Sequence, residues 1–145
     1  MPDEELIVEA RGENLLAVTF GAMASPCEIL VPSMSRHAAL EIGQVAAQEA
    51  WRVEKKYSRY RDDSVTAWIH ENRGTTVAVD EETASLIDFA SQCFDLSEGL
   101  FDITSGILRR AWTFDGSDRI PETASIERLL PWVVFDKLRW KSPHL

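Results

Sequence analysis

Hydrophobic and polar positions change period several times along the chain, and each change predicts an element. Leu15–Phe20 is an apolar run interrupted only by Thr19, and it reads as a strand. Cys27–Val31, stopped by Pro32, reads as a second strand. Between them, Gly21–Pro26 is a break rich in small residues that holds one larger apolar side chain, Met23. The pair predicts a β-hairpin. Ser33 or Ser35 can cap the next helix by accepting backbone N–H bonds. Ile42, Val45, Ala46, Val53 and Tyr57 then recur at helical spacing, with Trp51 at the edge of the face, so this helix runs to about Tyr57. Asp62-Asp63-Ser64 opens a short helical stretch, Val65–Asn72, ended by Gly74, and Thr75–Val79 reads as a short strand.

Asp80 caps a long helix to about Ser97, with Glu81 and Glu82 in the first turn, where carboxylates suit the helix dipole. Ile87, Ala90 and Phe94 form its stripe, Leu86 and Cys93 lie beside it, and Gly99 is placed to take the C′ position. Gly99–Arg110 keeps neither a helical nor an alternating period and reads as a shaped loop. Asp115–Asp118 is a turn. Pro121 starts a helix through Leu130, Pro131 stops it, and Trp132–Phe135 and Leu138–Trp140 read as two strands across an Asp136-Lys137 turn.

This order predicts an α+β fold, an antiparallel sheet with helices packed on one side. At 145 residues the chain is one domain's worth, residues 15–141, behind an N-terminal tail of residues 1–14. Apolar residues make up 45% and charged residues 27%, the balance of an ordinary globular protein. The net charge of −9 removes any general attraction to nucleic acid or an anionic membrane. Apolar runs last only a few residues, so no membrane span is expected. The opening Met-Pro-Asp-Glu-Glu is acidic where a secretory leader is basic. The chain as written reads as cytoplasmic, or as periplasmic after removal of a leader. Cys27 and Cys93 are far apart among apolar residues and read as small buried side chains.

Candidate chemistry is sparse. No Walker loop, G-x-G-x-x-G or H-E-x-x-H occurs, and no metal-ligand set is assigned. His37, His70 and His144 are scattered and read as surface residues. Five of the fifteen basic residues fall between Arg52 and Arg61, where a solvated helix end accounts for them better than a phosphate contact. Asp62-Asp63 reads as capping groups. Three segments stand apart: Phe20–Pro26, Tyr57–Ser64 and Gly99–Gly106. Each mixes glycine or small polar residues with aromatic ones, a composition that lets a flat aromatic ligand lie on side chains while backbone groups read its edge.

In that order and spacing the three segments resemble the N-terminal half of the FAD:protein FMN transferases, the ApbE-like proteins. The family pattern is a Phe-Gly-x-Met-Gly-Thr-like loop, a helix ending in Phe-Ser-x-Tyr-x-x-x-Ser, and then Gly-x-Phe-Asp-x-Thr-x-Gly. Here these are Phe20–Met23, Tyr57–Ser64 and Gly99–Gly106, and Ala24-Ser25 replaces the usual Gly-Thr. The resemblance covers about residues 15–140. It implies binding of FAD and transfer of its FMN part, with magnesium, to a threonine hydroxyl of a target flavoprotein while AMP leaves.

Met23 matches the loop methionine near the flavin and Tyr60 the tyrosine of the second segment. Leu100, Phe101 and Asp102 match the flavin-contacting stretch. Each also has a plainer reading: Met23 as core filler, Tyr60 as a helix-end packing residue, Phe101 as core. Asp102 between two apolar residues is costly to bury without a partner, which independently marks it as a functional polar group. No catalytic residue is assigned. Family members run to about twice this length, more than one typical domain. They continue into an Asp-x-Gly-Gly-Ile-x-Lys-Gly segment and later metal ligands. Residues 142–145 are therefore read as a truncated end, and the chain alone is expected to be inactive. The alternative is a non-catalytic flavin-binding or interaction fragment, and an exposed apolar face is expected to promote self-association.

Overall fold

The computed structural model describes residues 5–32, 35–113 and 115–145. The alternative cap Ser33 and the opening Met-Pro-Asp-Glu lie outside the described residues. The chain forms two compact units, one up to Arg73 and one from Gly74 to Leu145.

The expected hairpin is the centre of the first unit. Strands β2 (Leu15–Ala22) and β3 (Ser25–Pro32) pair antiparallel in unbroken register from Leu15↔Pro32 to Ala22↔Ser25. The strands extend through most of the predicted break, so the loop is only Met23-Ala24. A third strand, β1 (Ile7–Gly12), pairs with the other edge of β2 from Ile7↔Thr19 onward. Residues 7–12 were expected to be tail. Their alternation is masked because only Val8 of this strand is buried. Pro26 and Pro32 lie on the edge strand β3, where a missing N–H costs no ladder bond.

Helix α1 (Arg36–Tyr57) is capped by the Ser35 side chain, which accepts from the Ala38 N–H at 3.2 Å. It covers one face of the sheet. Val8, Val18, Val31 and Ala39 form one core cluster, and Phe20, Ala22 and Ala47 form a second. Helix and sheet approach so closely that a Cβ on Gly43 would collide with Val18 Cγ1. Arg36 ties the start of the helix to β1 by donating to the Val8 carbonyl at 2.6 Å. Helix α2 (Val65–Glu71) follows, capped by Ser64 and not by the Asp62-Asp63 pair read as capping groups; Asp63 pairs with Arg61 instead.

In the second unit, α3 (Glu81–Leu96) begins at Asp80, whose carboxylate accepts from Thr83, and buries Thr83, Ala84, Ile87 and Ala90. Its end is a Schellman motif. The Glu98 N–H donates to the Asp95 carbonyl and the Gly99 N–H to the Phe94 carbonyl. The C′ position with φ +54° is therefore Glu98, one residue before the glycine expected there. Part of the predicted loop, Ile103–Arg110, is wound as a 3₁₀ helix, and the helix predicted over 121–130 shortens to α4 (Thr123–Glu127), whose N-terminus has no side-chain cap.

The two strands expected at Trp132–Phe135 and Leu138–Trp140 do not form. Leu130–Trp132 and Phe135–Lys137 are 3₁₀ turns instead. Their physical reason is local: the Val134 and Phe135 N–H groups are taken by Thr104 Oγ1 and Asp102 Oδ2, so neither can enter a ladder. Thr75–Val79 likewise reduces to a single bridge, Ala78↔His144, flanked by the reciprocal Val77 and Leu145 bonds. The sheet is thus three-stranded and antiparallel, and the fold is α+β.

Candidate functional site

The hairpin tip carries the first candidate. Met23 and Ala24 have φ of +54° and +57°. Two positive values in a two-residue loop make a type I′ turn, whose twist matches that of the flanking strands. The turn points Met23 out of the core, 55% exposed, which argues against core filler. Beside the tip is an open groove of about 530 Å³ lined by Ile7, Thr19, Phe20, Gly21, Ala24 and Pro26, among others.

The second segment, Tyr57–Ser64, is bent by its own side chains. The Ser58 N–H closes α1 on the Glu54 carbonyl, and its hydroxyl accepts from the Tyr60 N–H at 3.2 Å. Buried Ser64 donates to the Arg61 carbonyl at 3.0 Å and accepts from the Ala67 N–H, joining the bend to α2. Thr66 donates to the Tyr57 carbonyl at 2.9 Å from the other side. The result projects Tyr60, 69% exposed, with the Arg59 guanidinium 5.2 Å from its ring centroid and donating to its hydroxyl at 3.1 Å. Tyr60 is therefore not helix-end packing. Arg61 and Asp63 pair through two bonds of 2.8 and 2.9 Å. That guanidinium holds the Asp63 carboxyl below its ordinary value, and the carboxylate raises Arg61 in return. Within the basic stretch, Arg52 pairs with Glu49, a solvated helix-end arrangement.

The third segment lies in the second unit. Ser97 shapes its start by donating to the Phe94 carbonyl and accepting from the Phe101 N–H at 2.8 Å. Leu100 then stands 92% exposed and Phe101 about half exposed, neither of them core. Asp102 is the opposite, 8% exposed. Its Oδ1 accepts from the Thr104 N–H at 2.7 Å and the Thr104 hydroxyl at 2.6 Å, while Oδ2 accepts from the Phe135 N–H at 3.0 Å. Thr104 Oγ1 in turn accepts from the Val134 N–H at 2.8 Å. The burial cost foreseen for Asp102 is met by donors of the chain itself, so its burial needs no ligand. Asp102 and Thr104 form a latch between residues 102–104 and 134–135. The Asp-x-Thr spacing signals the near half of it; nothing in a linear reading signals Val134 and Phe135.

Met23 and Tyr60 thus belong to the first unit, and Leu100, Phe101 and Asp102 to the second. Among the described residues, no group of three or more His, Cys, Asp or Glu could hold a metal ion. No helix among them is long and apolar enough to cross a membrane. Cys27 and Cys93 are free and half-buried. Trp51, which the helical pattern placed only at the edge of a face, donates its indole N–H to the Gly21 carbonyl beneath the hairpin tip.

The ApbE family signature matches residues 23–145. No curated protein matches the chain. Among solved structures, the chain is similar to the ApbE protein of Thermotoga maritima, with 27% identity and a TM-score of 0.72 over 88% of this chain and 42% of that one. It is also similar in fold to the flavinyl transferase ApbE of Pseudomonas stutzeri in its apo form, with 20% identity and a TM-score of 0.66 over 94% of this chain and 47% of that one. The chain spans less than half the length of either neighbour.

Proposed function

Because the chain belongs to the ApbE family, we propose that it supplies a flavin-holding part of an FAD:protein FMN transferase. In this reaction a threonine hydroxyl of a target flavoprotein attacks the FMN phosphorus of FAD. A new P–O bond forms, the pyrophosphate bridge breaks, the hydroxyl proton is lost, and AMP leaves. The observation that carries the reading is the exposure of Met23, Tyr60, Leu100 and Phe101, all at positions matching the family's flavin contacts. Large apolar and aromatic side chains held outside the core by specific turns suit a flat, partly apolar ligand. The open groove beside Met23 supports the same reading. Asp102 serves the site chiefly by fixing the loop that bears Leu100 and Phe101.

Magnesium is a family expectation that the described residues do not fit, since no three-residue ligand group exists among them. A second reading of the same exposed residues is a flavin-binding chain without catalysis. Incubation with FAD, magnesium and a target flavoprotein separates the two: covalent FMN on the target, seen as in-gel fluorescence, supports transfer, and its absence beside intact FAD binding supports the second. For the flavin site itself, Tyr60→Ala and Leu100→Ala are expected to weaken FAD binding about tenfold each, the loss of one stacked or apolar contact of ~1.4 kcal/mol. Flavin fluorescence titration checks this, and unchanged affinity in both variants refutes the site.

A further inference from the structure

One residue of α1 meets the hairpin in two ways. The Trp51 indole N–H donates to the Gly21 carbonyl at 2.7 Å. Its ring also meets Phe20 edge-on, with centroids 6.1 Å apart and planes at 79°. The carbonyl it takes has an unusual position. With a two-residue loop, Ala22 and Ser25 form the hydrogen-bonded closing pair, so alternation makes Gly21↔Pro26 a non-hydrogen-bonded pair. The Gly21 carbonyl therefore turns away from β3, toward the side of β1. There the register ends at Ile7↔Thr19, two residues short of Gly21. The carbonyl lies past the end of the neighbouring strand, beyond the last ladder pair. An apolar ring of similar size at position 51 would satisfy the core but would not donate to this carbonyl, as the indole N–H does.

We propose that Trp51 is a positioning residue of the flavin site: by holding the Gly21 carbonyl it sets the direction of the last strand residues and of the tip that presents Met23. Lateral freedom at Gly21 would otherwise pass directly to Met23, since Ala22 alone separates them. The proposal rests on the flavin reading for what the tip is used for, while the setting of the tip is measurable without flavin.

The test uses the full chain labelled with ¹³C-methyl methionine, with the Met23 signal assigned through Met23→Leu. Trp51→Phe keeps a ring and removes the donor. Phe20→Leu removes the ring contact and keeps the donor. Trp51→Met fills the space without a donor if the Phe variant does not fold. Loss of the donor is expected to move the Met23 methyl resonance and to speed amide exchange at Ala22 and Ser25 about tenfold, the scale of one hydrogen bond. It is also expected to raise the Kd for FAD about tenfold. Phe20→Leu is expected to lower the melting temperature and leave the Met23 resonance in place. An unmoved Met23 signal and unchanged exchange in the donor-less variants overturn the proposal. An equal response to Phe20→Leu also overturns it, because Trp51 would then act as core packing alone. If the tip responds as expected while the unmodified chain takes up no FAD, Trp51 still sets the tip and it is the flavin reading that fails.

Discussion

Met23 and Ala24 both hold positive φ without being glycine, and the left-handed region costs such residues roughly 1–2 kcal/mol each. The type I′ turn is most often Asn-Gly, a signature this chain lacks, which is why its small-residue break was legible but its two-residue loop was not. Ala24→Gly is expected to stabilise the chain by ~1 kcal/mol, raising the melting temperature by about 3 °C. A thermal melt checks this, and no rise means the turn is not strained as its dihedrals require. Arg61 and Asp63 give a pH prediction of known sign. The Asp63 carboxyl is depressed chiefly because it accepts hydrogen bonds from the Arg61 side chain. Its contribution is present above the ordinary aspartate value and is lost as pH falls through the lower folded value. Both groups are exposed, so the effect on stability is small. Carboxyl NMR is expected to show Asp63 titrating low and returning to normal in Arg61→Gln.

At the scale of elements, legibility followed whether the signal was local. Helices α1, α2 and α3 were readable because Ser35, Ser64 and Asp80 cap them from the adjacent residue and their apolar faces repeat. The region after Pro131 was misread because its backbone donors are claimed from 30 and 33 residues away by Thr104 and Asp102, and apolar content alone resembles a strand. Strand β1 carries no alternation to read, because only Val8 of it is buried. The candidate site is legible only through its three motifs, and the sequence places Trp51 only at the edge of a helix face, since its partner is a backbone carbonyl on another element. Asp102→Ala strands two backbone donors and the Thr104 hydroxyl, and is expected to destabilise the second unit by ~3 kcal/mol. Hydrogen exchange should then rise at Val134 and Phe135 first; unchanged protection there would remove the latch. Gly43→Ala drives a methyl into Val18 and is expected to cost ~2 kcal/mol despite alanine's better helix propensity. Urea unfolding measures that balance.

For the whole molecule, a net charge of −9 disfavours nucleic acid and anionic membranes as partners. The match over residues 23–145 places the chain in a family with a flavinyl transferase among its structural neighbours. The first unit offers a strained hairpin tip and an exposed tyrosine, and the second offers a latched loop with exposed Leu100 and Phe101. Each unit builds its own part, the tip held by Trp51 and the loop latched by Val134 and Phe135. The central claim is that the chain binds a flavin. Titration calorimetry of FAD into the 145-residue chain tests it most directly, with AMP as the control ligand. The account predicts saturable binding of FAD that AMP does not reproduce at the same concentration. No saturable heat with FAD, or equal binding of AMP and FAD, would contradict it.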